Sequence, residues 1–224
     1  MPSIDFEAAN EAFADRRDAG RRLALRLAGL AGSDTVVVAL PRGGVPVAAE
    51  IADALGSPLE ILAVRKLATA RNPEFGIGAL AEDGTCVVDH EAAAVLRINN
   101  GELEEIVARE TEELRRRVHA YRADREPLDL SNRTVIVVDD GVATGVTDTA
   151  ALRAARHQRP RRLVLAVPVC SPDALQRLEA EADEVVCLRA PGNLRSVSQS
   201  YLDFSQVSDE EVLDALQPRA DAAA

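Results

Sequence analysis

The sequence predicts an α/β fold: a mainly parallel, twisted sheet with helices on both faces, an N-terminal helix and a C-terminal hood segment. Three observations carry this expectation. Short aliphatic and β-branched runs alternate with longer amphipathic segments, the order of βαβ units. Runs such as Val135-Ile136-Val137-Val138 are apolar throughout, as a strand buried on both faces must be. Glycines, prolines or paired acids follow these runs directly, where the next helix has to begin.

Taken in order, Phe6 to Leu30 reads as one amphipathic helix, with Phe6, Phe13, Leu23, Leu27 and Leu30 along its apolar face. Thr35 to Leu40 is a short buried strand. Val45 to Leu55 is a helix stopped by Gly56, and Leu59 to Val64 is the next strand. Ala68 to Glu74 has the composition of a mobile loop. Phe75 to Ala81 and Thr85 to Val88 flank Glu82-Asp83-Gly84, a hairpin turn signal. Glu91 to Leu96 and Glu102 to Arg122 are helical, the second carrying a solvated face of Glu–Arg pairs. The core continues with the strand at Val135, a helix from Asp148 to Arg156 and the strand Arg162 to Val167. The helix Pro172 to Ala180 and the strand Glu184 to Leu188 close it. Arg219 onward reads as a frayed tail. There is no repeat or linker, so residues 1–224 are expected to form one domain, with a core over about 34–188.

Composition narrows the function. A net charge of −11 and a pI near 4.8 argue against a general nucleic-acid binder, which would rest on basic phosphate contacts. They leave room for a small anionic ligand, because a local pocket can oppose the global sign. The apolar runs are too short to span a bilayer, so no membrane association is expected. The opening Met-Pro-Ser-Ile-Asp-Phe-Glu has no hydrophobic signal core, which points to the cytoplasm. Cys86, Cys170 and Cys187 lack metal or redox spacing and read as buried free thiols. His90, His119 and His157 show no metal spacing and receive no catalytic role.

The most specific stretch runs from Val135 to Thr147. Its strand ends in Asp139-Asp140, followed by Gly141-Val142-Ala143-Thr144-Gly145-Val146-Thr147 and a helix start. First-turn amides of such a helix are unpaired and carry partial positive charge, which suits a phosphate. Gly145 permits close backbone approach, and Thr144 and Thr147 offer hydroxyl donors. Two acids beside a phosphate loop repel phosphate. They fit a ligand that presents hydroxyls or a metal to them and its phosphate further on, as a ribose 5-phosphate does.

A second constellation, Ala39-Leu40-Pro41-Arg42-Gly43-Gly44-Val45-Pro46, again joins a buried strand to a helix start. Arg42 and the amides at Gly43 and Gly44 could hold another anion. Lys66 is the single lysine among 26 basic residues and follows the strand Ile61 to Arg65, which suggests a need for a compact ammonium. The segment 190–207 is poor in apolar residues yet carries Tyr201 and Phe204, either as a binding surface or as a strap packed on the core.

The Val135–Thr147 pattern resembles the 5-phosphoribosyl-1-pyrophosphate (PRPP) motif of type I phosphoribosyltransferases. With its Pro-Arg-Gly-Gly-Val, Arg-Lys-Leu and Asn-Pro-Glu-Phe segments, the chain is most similar to bacterial proteins assigned to that family from sequence alone. The resemblance implies a phosphoribosyltransferase that uses PRPP and Mg²⁺, transfers the phosphoribosyl group to a nitrogenous base or amine, and releases pyrophosphate. A PRPP- or nucleotide-sensing regulator on the same fold is the alternative it leaves open. It gives Asp139 and Asp140 the ribose hydroxyls, and Gly141 with Ala143, Thr144, Gly145, Val146 and Thr147 the 5-phosphate. Arg42, Gly43, Gly44 and Lys66 take the pyrophosphate, under a lid at about residues 67–75. Tyr201 and Phe204 would meet the base from a hood at 190–207. Asp139, Asp140, Lys66 and Arg42 would form the catalytic set. No direct metal ligand is assigned, although Asp139 and Asp140 could reach Mg²⁺ through water. Ala143 stands where 6-oxopurine enzymes usually have Asp, which disfavours hypoxanthine and guanine. A glutamine-dependent amidotransferase would need a Cys at position 2, which this chain lacks. Self-association into an oligomer is compatible with the family.

Overall fold

A computed structural model describes residues 12–69, 71–122 and 127–217, without the side chains of residues 73–75. Its centre is a five-stranded parallel sheet in the order β2-β1-β6-β7-β8. These strands are β1 (Thr35–Ala39), β2 (Leu59–Ile61), β6 (Thr134–Val138), β7 (Arg162–Val169) and β8 (Glu184–Arg189). All five residues of β1 and of β6 are buried, as their unbroken β-branched runs require. Side chains alternate between the two faces. Val37, Ala39, Ile136 and Val138 join one apolar cluster with helices α1 (Arg16–Leu27), α2 (Gly44–Leu55) and α7 (Asp209–Ala215). Val36, Val38, Val135 and Val137 join the other, with α5 (Val146–His157) and α6 (Pro172–Leu178). Each fully buried aliphatic side chain, such as Ile136, stabilises the fold by about 1.5–3 kcal/mol relative to exposure.

Beside this sheet stands a three-stranded antiparallel sheet of β3 (Val64–Thr69), β4 (Asn72–Ala81) and β5 (Cys86–Val88). The short helix α3 (His90–Val95) follows it. The 23-residue α4 (Asn100–Arg122) covers the small sheet, burying Ile106 and Leu114 against Leu67, Ile77 and Leu80. The exposed face of α4 carries the expected intrahelical pairs, Glu112–Arg115, Glu113–Arg116 and Glu113–Arg117. Its last residue, Arg122, is buried between Glu60 and Glu82 and ties the two sheets together. No helix among the described residues is long and apolar enough to cross a membrane.

Several sequence expectations are corrected. The N-terminal helix begins at Arg16, because Asp15 accepts from the Asp18 amide and caps it there. Phe13 lies before that helix, in a parallel bridge to Tyr201, and Phe6 falls outside the described residues. The strand expected at Leu59–Val64 is two strands: the chain leaves the parallel sheet after Ile61 and enters the small one at Val64. The expected loop at 68–74 is the end of a hairpin in which Thr69 pairs with Asn72, with register shifts on either side of Ala68. Apolar residues at Leu67 and Ile77 pull both of its strands onto α4. Ala70 lies outside the described residues. Cys170 is buried and Cys187 half-buried, but Cys86 is exposed on the short β5. Helix α7, closed by a capping box between Ser208 and Glu211, was not anticipated, and the tail from Arg219 lies outside the described residues.

Candidate phosphoribosyl site

The site lies at the C-terminal edge of the parallel sheet, where β1 and β6 pair in register from Thr35↔Thr134 to Ala39↔Val138. Both strands run straight into loops that start helices, so the Pro41–Gly44 turn and the Asp139–Gly145 loop emerge side by side. The two loops are in contact. A Cβ on Gly43 would lie 2.0 Å from Asp140 Oδ2, and one on Gly44 would lie 2.5 Å from the Val138 carbonyl oxygen. Only glycine lets the first loop approach the acid pair this closely. The Pro41–Arg42 peptide is cis.

Asp139 and Asp140 are both half-buried. Asp139 Oδ1 accepts the Asp140 amide at 2.8 Å. Asp140 Oδ2 accepts from Arg16 Nε at 2.8 Å, across 124 positions of sequence. Burial pushes the Asp139 carboxyl well above the usual range, and repulsion from Asp140 and Asp148 adds to it. Burial also raises Asp140, while Arg16 pulls it back. Asp148, in the first turn of α5, is buried, and its carboxyl is pushed up to about 7, chiefly by desolvation. Its Oδ1 has no hydrogen-bond partner among the described residues.

The Asp139–Gly145 loop is held from below. Val142 bridges to Cys170 through Val142 N donating to the Val169 carbonyl and Ser171 N donating to the Val142 carbonyl. Ser171 Oγ donates to the Ala143 carbonyl at 2.7 Å, and Arg177 Nη2 donates to the Thr144 carbonyl at 2.8 Å. Gly145 precedes α5 with φ 76°, a left-handed conformation that a side chain would strain. The loop therefore presents the start of a 12-residue helix, with Ala143 and Thr144 exposed beside it. Ala143, Thr144 and Val146 form one wall of an open cleft of about 830 Å³, with Arg177 and Arg195 also lining it.

The remaining expected residues are distributed differently. Arg42 sits on the Pro41–Gly44 turn, 3.6 Å from Asp209 of α7, which also accepts from Tyr121 Oη at 2.5 Å. Lys66 is exposed on β3 opposite Ala79, on the antiparallel arm rather than at the edge of the parallel sheet, and its stem lies over Gly76. Tyr201 is only 7% exposed, packs between Phe13 and Phe204, and donates to the Asp140 carbonyl at 2.5 Å. The Arg16 guanidinium covers the Phe204 ring at 3.8 Å. These aromatics form a strap against the acid pair, with Tyr201 buried and Phe204 half-buried under the Arg16 guanidinium. Arg16, Ser171 and Arg177 were missed by the sequence reading. The cap at Asp15 is the local feature that could have placed the helix start at Arg16, but nothing local links Arg16 to Asp140.

Asp139 and Asp140 offer hard oxygen donors suited to magnesium. Among the described residues no group of three or more His, Cys, Asp or Glu side chains could hold a metal ion.

Comparison with known proteins agrees with this geometry. A phosphoribosyl transferase domain model matches residues 11–204. Two Mycobacterium tuberculosis proteins, named "Putative phosphoribosyl transferase MT0597" and "Putative phosphoribosyl transferase Rv0571c", are each 43% identical to this chain over 201 residues. Those matches take in 90% of this chain and 45% of each relative, so the chain spans about half of their length. The crystal structure of the protein TT1426 from Thermus thermophilus superposes with a TM-score of 0.75 at 45% identity, covering 92% of this chain and 97% of that one. With the parallel sheet, the two apposed loops and the acid pair on one edge, the chain belongs to the phosphoribosyl transferase domain family.

Proposed function

We propose that this protein transfers a 5-phosphoribosyl group from PRPP to a nitrogenous base or amine and releases pyrophosphate. The observation that supports this reading is the close approach of the Gly43–Gly44 turn to Asp139 and Asp140, which would set a loop able to bind an anion against a pair of carboxylates able to accept hydroxyls. In this reading Asp139 and Asp140 accept the ribose 2- and 3-hydroxyls, and the amides from Thr144 to Thr147 hold the 5-phosphate with the two threonine hydroxyls. Gly43 and Gly44 amides, Arg42 and Lys66 receive the diphosphate. The bond from the anomeric carbon to the diphosphate oxygen breaks with its electron pair leaving on the diphosphate. The acceptor nitrogen then forms the new bond and loses its proton. Positive charge builds on the ring as this happens, and the neighbouring carboxylates favour it. Magnesium brought in with PRPP would neutralise the departing diphosphate. The hairpin of β3 and β4 would close over the site and exclude water. A cytoplasmic setting belongs to the same reading.

The test is pyrophosphate release from PRPP and Mg²⁺ with a panel of purines, pyrimidines and simple amines. Acceptor-dependent release is expected, and it should vanish in the Asp139→Asn, Asp140→Asn double variant. If the intact protein binds PRPP yet releases none with any acceptor, the transferase reading fails and a PRPP-sensing regulator replaces it.

A further inference from the structure

We propose that Arg16, outside the phosphoribosyl motif, is a positioning residue that aims Asp140 at a ribose hydroxyl and so sets the preference for ribose over deoxyribose ligands. This rests on the ribose-site reading of Asp139 and Asp140. The two ends of the described chain meet behind the acid pair: Phe13 N donates to the Ser200 carbonyl, Leu202 N to Phe13 and Asp203 N to Ala14, at 2.8–2.9 Å. This pairing brings the first residue of α1 under the site. There the Arg16 guanidinium has three fixed contacts. Nε donates to Asp140 Oδ2 at 2.8 Å, Nη1 donates to the Ser205 carbonyl at 2.7 Å, and its face lies 3.8 Å from the Phe204 ring centre. The side chains of Arg16 and Asp140 are only 11% and 14% exposed, so solvent screens the pair weakly.

The consequence is geometric. The planar guanidinium cannot turn without losing two bonds and its seat on Phe204, and it takes up Oδ2. Tyr201 Oη fixes the Asp140 main chain from the same side. The Asp140 carboxylate is thereby held about its terminal torsion, otherwise a broad and soft rotation, and in this assignment its other oxygen is the one that would accept from the ligand. Without Arg16 the carboxylate turns freely, and the direction of its acceptor is lost while the phosphate loop is untouched.

The experiment compares ribose 5-phosphate with its 2-deoxy and 3-deoxy analogues by calorimetric titration. The wild-type protein should prefer ribose 5-phosphate over at least one analogue. In Arg16→Gln that preference should fall roughly tenfold, the scale of coupling within one hydrogen-bonded network, with affinity for the deoxy analogue nearly unchanged. Arg16→Lys should recover part of it. In an Asp140→Asn background Arg16→Gln should add nothing. Equal weakening of all three ligands, or an intact preference in Arg16→Gln, overturns the assignment and leaves Arg16 a structural tie. A wild-type protein without any preference overturns the ribose-site reading itself. Phe204→Leu, which removes only the ring beneath the guanidinium, repeats the test should Arg16→Gln fold poorly: a smaller loss of preference supports the role, and none refutes it.

Discussion

Asp148→Asn removes a buried acid from the first turn of α5, where its charge works against stability. Asp148 is 3% exposed, its Oδ1 has no hydrogen-bond partner among the described residues, and burial pushes its carboxyl up to about 7 from an ordinary 3.8. The native state therefore holds this proton more tightly than the unfolded chain does. Stability is undiminished below about pH 4, falls as the pH rises from about 4 to about 7, and stays low above that. A gap of roughly three pH units at 1.36 kcal/mol each makes the penalty at pH 8 about 4 kcal/mol as an upper bound. Asparagine keeps the shape and removes the charge, but it brings amide hydrogens into a buried place that must supply an acceptor, which costs about 1–3 kcal/mol where none is found. A net gain of about 1–3 kcal/mol is expected at pH 8, or roughly 2–4 °C in melting temperature for each kcal/mol in a chain of this size. At pH 4 the variant should be no more stable than wild type. Thermal unfolding followed by circular dichroism at pH 4, 6 and 8 reads this directly. A shift that is the same at pH 4 and pH 8, or a variant less stable at both, would refute the claim that Asp148 is held charged against burial.

Three further predictions concern the loops. Gly43→Ala places a methyl 2.0 Å from Asp140 Oδ2, so PRPP affinity should fall at least roughly tenfold. Unchanged binding by calorimetry would show that the two loops need not touch. Asp209→Ala releases Arg42 from a 3.6 Å ion pair and should tighten pyrophosphate binding a few-fold, roughly the worth of one exposed pair. Competition by pyrophosphate against PRPP measures it, and weaker binding would mean that Asp209 holds Arg42 in its working place. Lys66→Ala should lower turnover far more than it weakens ribose 5-phosphate binding, since that ligand lacks the diphosphate. Equal small effects would remove Lys66 from the site.

The parallel sheet, its helices on both faces and the two strand-to-helix loops were legible in the sequence by itself. Each follows from short-range chemistry: unbroken β-branched runs such as Val135–Val138, a left-handed stop at Gly56, and a loop whose Gly145 leads into a helix start. What the tertiary structure alone decided involves partners far apart in the chain. The break at Leu62–Ala63 was invisible because Ile61 to Val64 is apolar without a turn signal, and only the packing of Leu67 on α4 turns the second half into another sheet. Tyr201 and Phe204 read equally as a binding surface or a strap, and only the bridge between Phe13 and Tyr201 shows Tyr201 buried, with Phe204 partly buried against it. Arg16 lies 124 positions from Asp140 and inside a segment that reads as ordinary amphipathic helix. Local pattern fixes which residues can form a strand, a cap or an anion loop, because those choices are settled within a few bonds. Which carboxylate receives which cation depends on how the ends of the chain come together, and that is settled only when the core packs.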